Sequence, residues 1–188
     1  MLDQISNFIN QKVPSANAVH ETRENGQDVI FVNAASIVEV CRNLRDGEYK
    51  FRVLAVITGT DYPDHIEVSY VLGTFNPEQD IEMILKVKLP KADKDAVVKV
   101  DSVVEIWPAA NFQERECYDM LGVEFVGHPD MRRILCPEDW EGFPLRKDYV
   151  VQEKYHHMVV NPEAKMNFPE RGFAEKQKEL EKAAKAES

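Results

Sequence analysis

Glycine is scarce in this chain, with eight in 188 residues, and none falls in a G-x-G-x-x-G or G-x-x-x-x-G-K-[ST] arrangement. Loops that wrap a dinucleotide or nucleotide phosphate need glycine at those places, because only a bare backbone turns so tightly and approaches the phosphates so closely. Neither binding mode is signalled, and a G-x-S-x-G nucleophile elbow is missing too. Cysteine is scarcer still. Cys41, Cys117 and Cys136 cannot all pair, which suits reduced thiols better than a disulfide scaffold, and an iron-sulfur cluster normally takes four thiolates. The chain has neither C-x-x-C nor H-E-x-x-H, so Cys117, His128, Cys136 and the adjacent His156 and His157 lack the close ligand pairs of a zinc site. Long apolar runs are absent: residues 53–57 make a run a quarter of the ~20 needed to span a bilayer. Positive charge is in deficit, 23 basic against 33 acidic residues for a net charge of −10, which argues against nonspecific grip on nucleic acid or anionic lipid. The opening residues carry Asp3 early and no basic block before an apolar one, so neither a signal nor a transit peptide is expected there.

What is present is enough apolar residue, 44%, for one core in a single domain, with a possible tail. Leu2, Ile5, Phe8 and Ile9 recur at helical spacing, predicting a short helix that ends near Pro14. Residues 18–23 and 28–32 flank Asn25-Gly26, a dipeptide suited to a type I′ hairpin turn. Helical period returns over residues 34–45 through Ile37, Val38, Cys41 and Leu44, with Gly47 placed to supply a left-handed cap. Three strands follow over residues 51–59, 66–75 and 81–89, the last alternating Ile81, Met83, Leu85, Val87 and Leu89 with polar residues. The expected fold class is α+β, a compact mixed sheet with helices on one side.

Asp101 or Ser102 predicts the cap of a helix carrying Val103, Val104, Ile106 and Trp107, ended by Pro108. A further helix starts at Asn111 with Glu114 in capping-box position and closes at Gly122. Beyond Gly122 periodicity fades and prolines and charges accumulate. The expected division is an α+β domain over residues 1–122, an extended, irregular, partner-docking segment over 123–162, and a charged tail, helical or disordered, over 163–188. That tail holds six acids and six bases, so the net charge lies upstream.

The densest chemistry is Glu114, Arg115, Glu116 and Asp119, followed by His128, Pro129, Arg132, Arg133, Arg146, Lys147 and Asp148. On a helix Arg115 and Asp119 stand four apart and can pair, while Glu116 falls on another face. General acid-base work by Glu114, Asp119 and His128 would need two carboxyls with their pKa values pushed apart, or a buried one. Alternatively the stretch is a docking surface, with arginine forks for carboxylates and Trp140, Phe143 and Tyr149 as aromatic anchors. A third reading has these charges satisfying one another within the domain, and the residues alone leave these open.

Taken in chain order, Glu114-Arg115-Glu116-x-Tyr118-Asp119-Met120-x-Gly122-Val123-x-Phe125-x-Gly127-His128-Pro129-Asp130-Met131-Arg132-Arg133-Ile134-Leu135, then Pro144-Leu145-Arg146-Lys147-Asp148-Tyr149, resembles the C-subunit family of NADH-quinone oxidoreductase, the respiratory complex I of bacteria. Residues 106–111 upstream also look like that family. Met131 stands where the family more often has Leu, Cys117 where Val is common, and Val150 where Pro often follows, leaving the charged frame intact. The resemblance implies a subunit of an NADH:quinone translocase that itself has no catalytic residue, cofactor or metal. Iron-sulfur clusters, FMN, NADH and quinone would belong to partner subunits. It implies a peripheral-arm scaffold beside subunits B and D, on the cytoplasmic face of the bacterial membrane and attached only through the complex. Related subunits of membrane-bound hydrogenases and F420H2 dehydrogenase carry a similar pattern. Carried over, Glu114, Arg115, Asp119, His128, Pro129, Arg132, Arg133, Arg146, Lys147 and Asp148 form the signature and expected interface.

Overall fold

The computed structural model describes residues 1–74, 81–93 and 96–160, and the chain divides into two compact units, Met1–Tyr149 and Val150–Ser188. In the first, helix α1 (Leu2–Lys12) leads through a 3-10 turn at Pro14–Ala16 to strands β1 (Val19–Thr22) and β2 (Asp28–Val32). A second 3-10 turn, Ala34–Ser36, opens α2 (Ile37–Asp46), and Asn33 holds it by accepting the Ala35 amide at 3.2 Å. Strands β3 (Val53–Asp61), β4 (His65–Gly73) and β5 (Glu82–Pro90) complete a five-stranded sheet in the order β1-β2-β5-β4-β3. Every pairing is antiparallel except β2 with β5, so the sheet is mixed, as the α+β reading expected. The charged tail expected over residues 163–188 lies outside the described residues.

Alternation decides what each sheet face does. Ile30, Val32, Val68, Tyr70, Leu72, Met83, Leu85 and Val87 share one core with Ile5 and Ile9 of α1 and Val40, Cys41 and Leu44 of α2. Helices of ten or eleven residues are marginal alone, so burial of such side chains, about 1.5–3 kcal/mol each, is what holds them. Val29 and Phe31 are buried but outside this core, on the other face. There the cations of Arg23 and Lys88 lie 4.9 and 4.3 Å from the Phe31 ring centroid, and buried Glu67 receives Arg23 at 2.7 Å and Lys86 at 3.2 Å.

Helix α3 (Ala110–Leu121) runs along edge strand β3 and blunts it. At the irregularity between Leu54 and Val56, the Gln113 side chain stands in for a neighbouring strand, accepting the Ile57 amide and donating to the Ala55 carbonyl. Gly59 permits the close approach, because a Cβ there would lie 2.3 Å from Leu121 Cδ1. Gln113→Ala strips both edge groups of their partner, and the expected loss is about 1 kcal/mol with faster hydrogen exchange at the Ile57 amide. An unchanged Ile57 exchange rate would show that water satisfies the edge equally well.

Several local expectations are corrected. The β1–β2 loop pairs Arg23 with Gln27 around Glu24, Asn25 and Gly26, and only Gly26 has positive φ, so a three-residue loop replaces the two-residue type I′ turn. Gly47 is extended at φ −75° and ψ −157°, and the left-handed residue beyond α2 is Lys50. Glycine is required at 47 for space, since a Cβ would lie 2.3 Å from the Asn43 carbonyl oxygen. No helix forms over residues 103–107: a turn bonds the Ile106 and Trp107 amides to the Val103 carbonyl, and strand β6 (Val98–Asp101) precedes it. Strand β6 pairs in parallel with β7 (Val123–Val126), with α3 as the crossover.

The segment expected to be irregular from residue 123 therefore opens with a strand whose Val123 and Phe125 are buried, and the first compact unit runs to Tyr149. Four-residue strands paired across the chain leave no sustained local period, which is why pattern alone missed them. In the second unit, β8 (Lys154–Tyr155) and β9 (Met158–Val159) form a hairpin turning at His156 and His157, with Val150, Val151, Met158 and Val159 exposed.

Candidate functional site

Helix α3 delivers three charged side chains in three directions. Glu114, fully buried, accepts Ser102 Oγ at 2.6 Å and the Val103 amide at 2.8 Å, so it caps the preceding turn instead of forming a capping box at its own helix start. Burial pushes its pKa from 4.5 up to about 7, against the lowering effect of those two hydrogen bonds. Arg115 reaches the carbonyls of Arg132 at 3.2 Å and Arg133 at 3.5 Å and stands 3.7 Å from Asp130. It does not pair with Asp119, which corrects the i,i+4 expectation.

Asp119 is fully buried and organises the loop opposite. Its Oδ2 accepts three consecutive amides, Ile134 at 3.0 Å, Leu135 at 2.6 Å and Cys136 at 2.8 Å, while Oδ1 receives Arg133 at 2.7 Å. A run of amides converging on one anion is a backbone nest, here filled by the chain's own carboxylate. Burial pushes the Asp119 pKa up, but the Cys136 amide, Arg133 and the other two amides outweigh it and leave it below the ordinary 3.8. Arg133 also donates to the Gly142 carbonyl at 2.8 Å, joining both ends of the loop.

The next stretch is anchored the same way. Gly122 takes the left-handed conformation, φ +70°, that ends α3, and a Cβ there would meet Phe143 at 2.5 Å and Arg146 Nη2 at 2.7 Å. Buried Arg146 donates to the carbonyls of Leu121 and Ala96, both at 2.7 Å, and its guanidinium lies 4.6 Å from the Phe143 centroid. Lys147 is held through its backbone, whose amide donates to buried Asp61 at 2.9 Å beside the Asp61–Lys91 pair at 2.7 Å. Asp148 and Lys147 line an open cleft of about 550 Å³ with Tyr62, Pro63, Lys91 and Asp93.

His128 Nδ1 accepts the Asp130 amide at 3.0 Å, which places its proton on Nε2, 3.1 Å from the Asn111 carbonyl. Pro129 and Arg132 are exposed, the latter paired with Asp130 at 3.1 Å. The structure thus joins Asp119 with Arg133, aims Glu114, Arg115, His128 and Arg146 at separate backbone segments, and leaves Pro129, Arg132, Lys147 and Asp148 exposed. Glu114, Asp119 and His128 share no hydrogen-bond partner, so the acid-base set is not assembled. The aromatic anchors are half-buried, Phe143 against the arginines and Trp140 donating to the Tyr149 hydroxyl at 3.0 Å. Among the described residues, no three His, Cys, Asp or Glu side chains are grouped to hold a metal, and no helix is long and apolar enough to cross a membrane.

Sequence reasoning missed Asp61 and Gln113, which tie the loop and helix to the sheet. A buried aspartate at a strand end carries no local mark of its partner, and Gln113 reads as one more polar helix residue. Arg146→Lys tests the clamp: a single ammonium cannot reproduce two planar donations, so the expected loss is about 2–4 kcal/mol, seen as a lowered Tm. A Tm unchanged in Arg146→Lys would show that charge alone suffices at this position.

A family model described as "Respiratory-chain NADH dehydrogenase, 30 Kd subunit" matches residues 30–155. The C subunit of the NADH-quinone oxidoreductase of Chlorobium phaeobacteroides is 47% identical over 111 residues, 59% of this chain and 65% of that protein. The corresponding C subunit of Chloroherpeton thalassium is 46% identical over 61% of this chain but only 46% of its own length. That of Moorella thermoacetica is 40% identical over 70% of this chain and 86% of its own length. The chain thus spans about half to two thirds of the length of the first two relatives and most of the third. Among solved structures, a chain of the membrane-bound sulfane sulfur reductase, an archaeal respiratory membrane complex, superimposes with a TM-score of 0.64 at 27% identity, covering 89% of this chain and 98% of that one. The family match runs from within β2 to β8 and takes in every charged residue of the α3 anchor, and the chain belongs to the family of the 30 kDa subunit of respiratory-chain NADH dehydrogenase.

Proposed function

We propose that this chain is a non-catalytic, peripheral-arm subunit of a proton-pumping NADH:quinone oxidoreductase, on the cytoplasmic face of a bacterial membrane. It holds subunits B and D in register, so that electron transfer and quinone binding occur in partners at fixed distance. NADH, FMN, iron-sulfur clusters and quinone belong to those partners. The observation that carries the reading is the use to which the signature is put: Asp119, Arg133, Arg146 and Glu114 are spent on the chain's own backbone, which builds a rigid body and leaves them unavailable for turnover. Family membership supplies the complex. The test is affinity purification of the tagged chain from gently solubilised membranes, with an NADH-to-quinone assay on the eluate. Recovery with subunits B and D and inhibitor-sensitive NADH oxidation is expected, and a monomer without partners would overturn the reading.

A second reading places the same module in a respiratory complex with another electron donor, of the hydrogenase or F420H2 dehydrogenase type. The likeness to a chain of a sulfane sulfur reductase complex, nearly full length on both sides, favours keeping it. The same eluate separates the two, since partners without NADH oxidation would select the second.

A further inference from the structure

Four acids are buried among the described residues, and one of them lacks what the others have. Asp61, Glu67 and Asp119 each meet a cation at 2.7 Å, from Lys91, Arg23 and Arg133 respectively, whereas Glu114 meets none. Its partners are Ser102 Oγ at 2.6 Å and the Val103 amide at 2.8 Å. A buried carboxylate without a counter-charge is costly, and the usual escape is to hold a proton. The other titratable and charged groups around it offer no relief. The Cys41 thiol of α2, the Tyr70 hydroxyl of β4 and the Cys117 thiol of α3 are kept protonated by burial, and Asp101 and Glu116 are exposed acids. Arg45 of α2 reaches the turn after β6 but donates to the Ile106 carbonyl at 2.8 Å and pairs with Asp46. Arg115 serves the carbonyls of Arg132 and Arg133, and His128 that of Asn111.

Ser102 gives this acid its route to water. The serine is half-buried while Glu114 is sealed, and its hydroxyl oxygen also accepts the Val104 amide at 3.2 Å. A hydroxyl has one donor and two acceptor sites. With Glu114 protonated, its Oε2–H donates to Ser102 Oγ, which accepts the Val104 amide as well and turns its own proton outward. With Glu114 ionised, the serine turns that proton inward and donates to Oε2. The amides of Val103 and Val104, which start the turn, therefore both depend on this pair, one directly and one through the serine.

We infer that Glu114 and Ser102 form a proton-operated latch: while Glu114 carries a proton the turn after β6 is closed on α3, and loss of that proton to water lets the turn open and the carboxylate hydrate. Opening returns the acid to its ordinary pKa of 4.5, whereas the closed state holds it at about 7. A pKa raised in the closed state favours closure fully below the lower value, and the effect is lost as the pH rises through the higher one. The opening equilibrium therefore rises about tenfold per pH unit between about pH 5 and pH 6.5 and levels off above about pH 7. The whole change from pH 4 to pH 8 is on the order of a hundredfold or more.

The test is amide hydrogen exchange of the full chain, followed by NMR from pH 4 to pH 8 and corrected for the intrinsic pH dependence of exchange. It is run with and without urea below the unfolding transition. At Val103 and Val104 the protection is expected to fall by the factors above and to ignore the urea, because a local opening exposes little surface. Leu85 of β5, in the sheet core, reports global unfolding, and its amide is expected to stay more protected and to respond to urea. In Glu114→Gln the protection of Val103 is expected to be independent of pH. Ser102→Ala removes a hydrogen bond that favours the ionised acid, so the midpoint of the change at Val103 moves to higher pH. Protection of Val103 that is constant with pH in the parent, or equal to that of Leu85 at every pH and urea concentration, would overturn the latch. An unmoved midpoint in Ser102→Ala would overturn the part assigned to the serine.

Discussion

Replacing Asp119 by Ala is expected to destabilise the protein by about 3–5 kcal/mol, the range for removing one member of a buried ion pair. The deletion leaves Arg133 without its carboxylate and three amides, those of Ile134, Leu135 and Cys136, without an acceptor. At about 2–4 °C per kcal/mol for a domain of this size, the Tm should fall by roughly 6–20 °C. The sign with pH follows from the depressed pKa of Asp119. Its contribution is fully present above the unfolded value of 3.8 and is lost as the pH falls through the lower folded value, so the variant loses less than the parent on acidification. Urea unfolding at pH 7 and pH 3 measures both effects. A variant as stable as the parent at pH 7 would mean that the nest does not depend on its anion.

Glu114→Gln is expected to act in the opposite sense. With a folded pKa raised from 4.5 to about 7, the parent binds more protons folded than unfolded between those values, so its stability declines as the pH rises through the window. The shift corresponds to roughly 3 kcal/mol. Glutamine keeps an acceptor for the Val103 amide and offers Ser102 a donor, without a charge to desolvate. The two proteins should therefore be nearly equal at pH 4 and diverge above it, until the variant is the more stable by roughly 3 kcal/mol at pH 8. Burial raises the thiols of Cys41 and Cys117 and the Tyr70 hydroxyl, so these neighbours stay protonated throughout. His20, its pKa raised chiefly by its hydrogen bond to Asp3, also loses its contribution with rising pH, so the difference between the two proteins is the quantity to follow. A difference constant from pH 4 to pH 8 would refute an ionisable Glu114 in the core.

The amino-acid order by itself determined the elements that have a sustained period and a local stop: α1 before Pro14, α2, strands β3 to β5, and the end of α3 at Gly122. Side-chain alternation and helical spacing are properties of neighbouring residues, and burial of one face enforces them. The charged signature was legible as a family mark, and so was its loop of prolines and arginines. Only the tertiary structure decided which way that signature faces. Asp119 meets Arg133 from 14 residues away, Arg146 meets Ala96 from 50, and Lys147 meets Asp61 from 86, and β6 finds β7 across a whole helix. Pairings over such distances are selected by what each buried charge needs in order to leave water, a carboxylate its amides and a guanidinium its carbonyls, and no local spacing records that requirement.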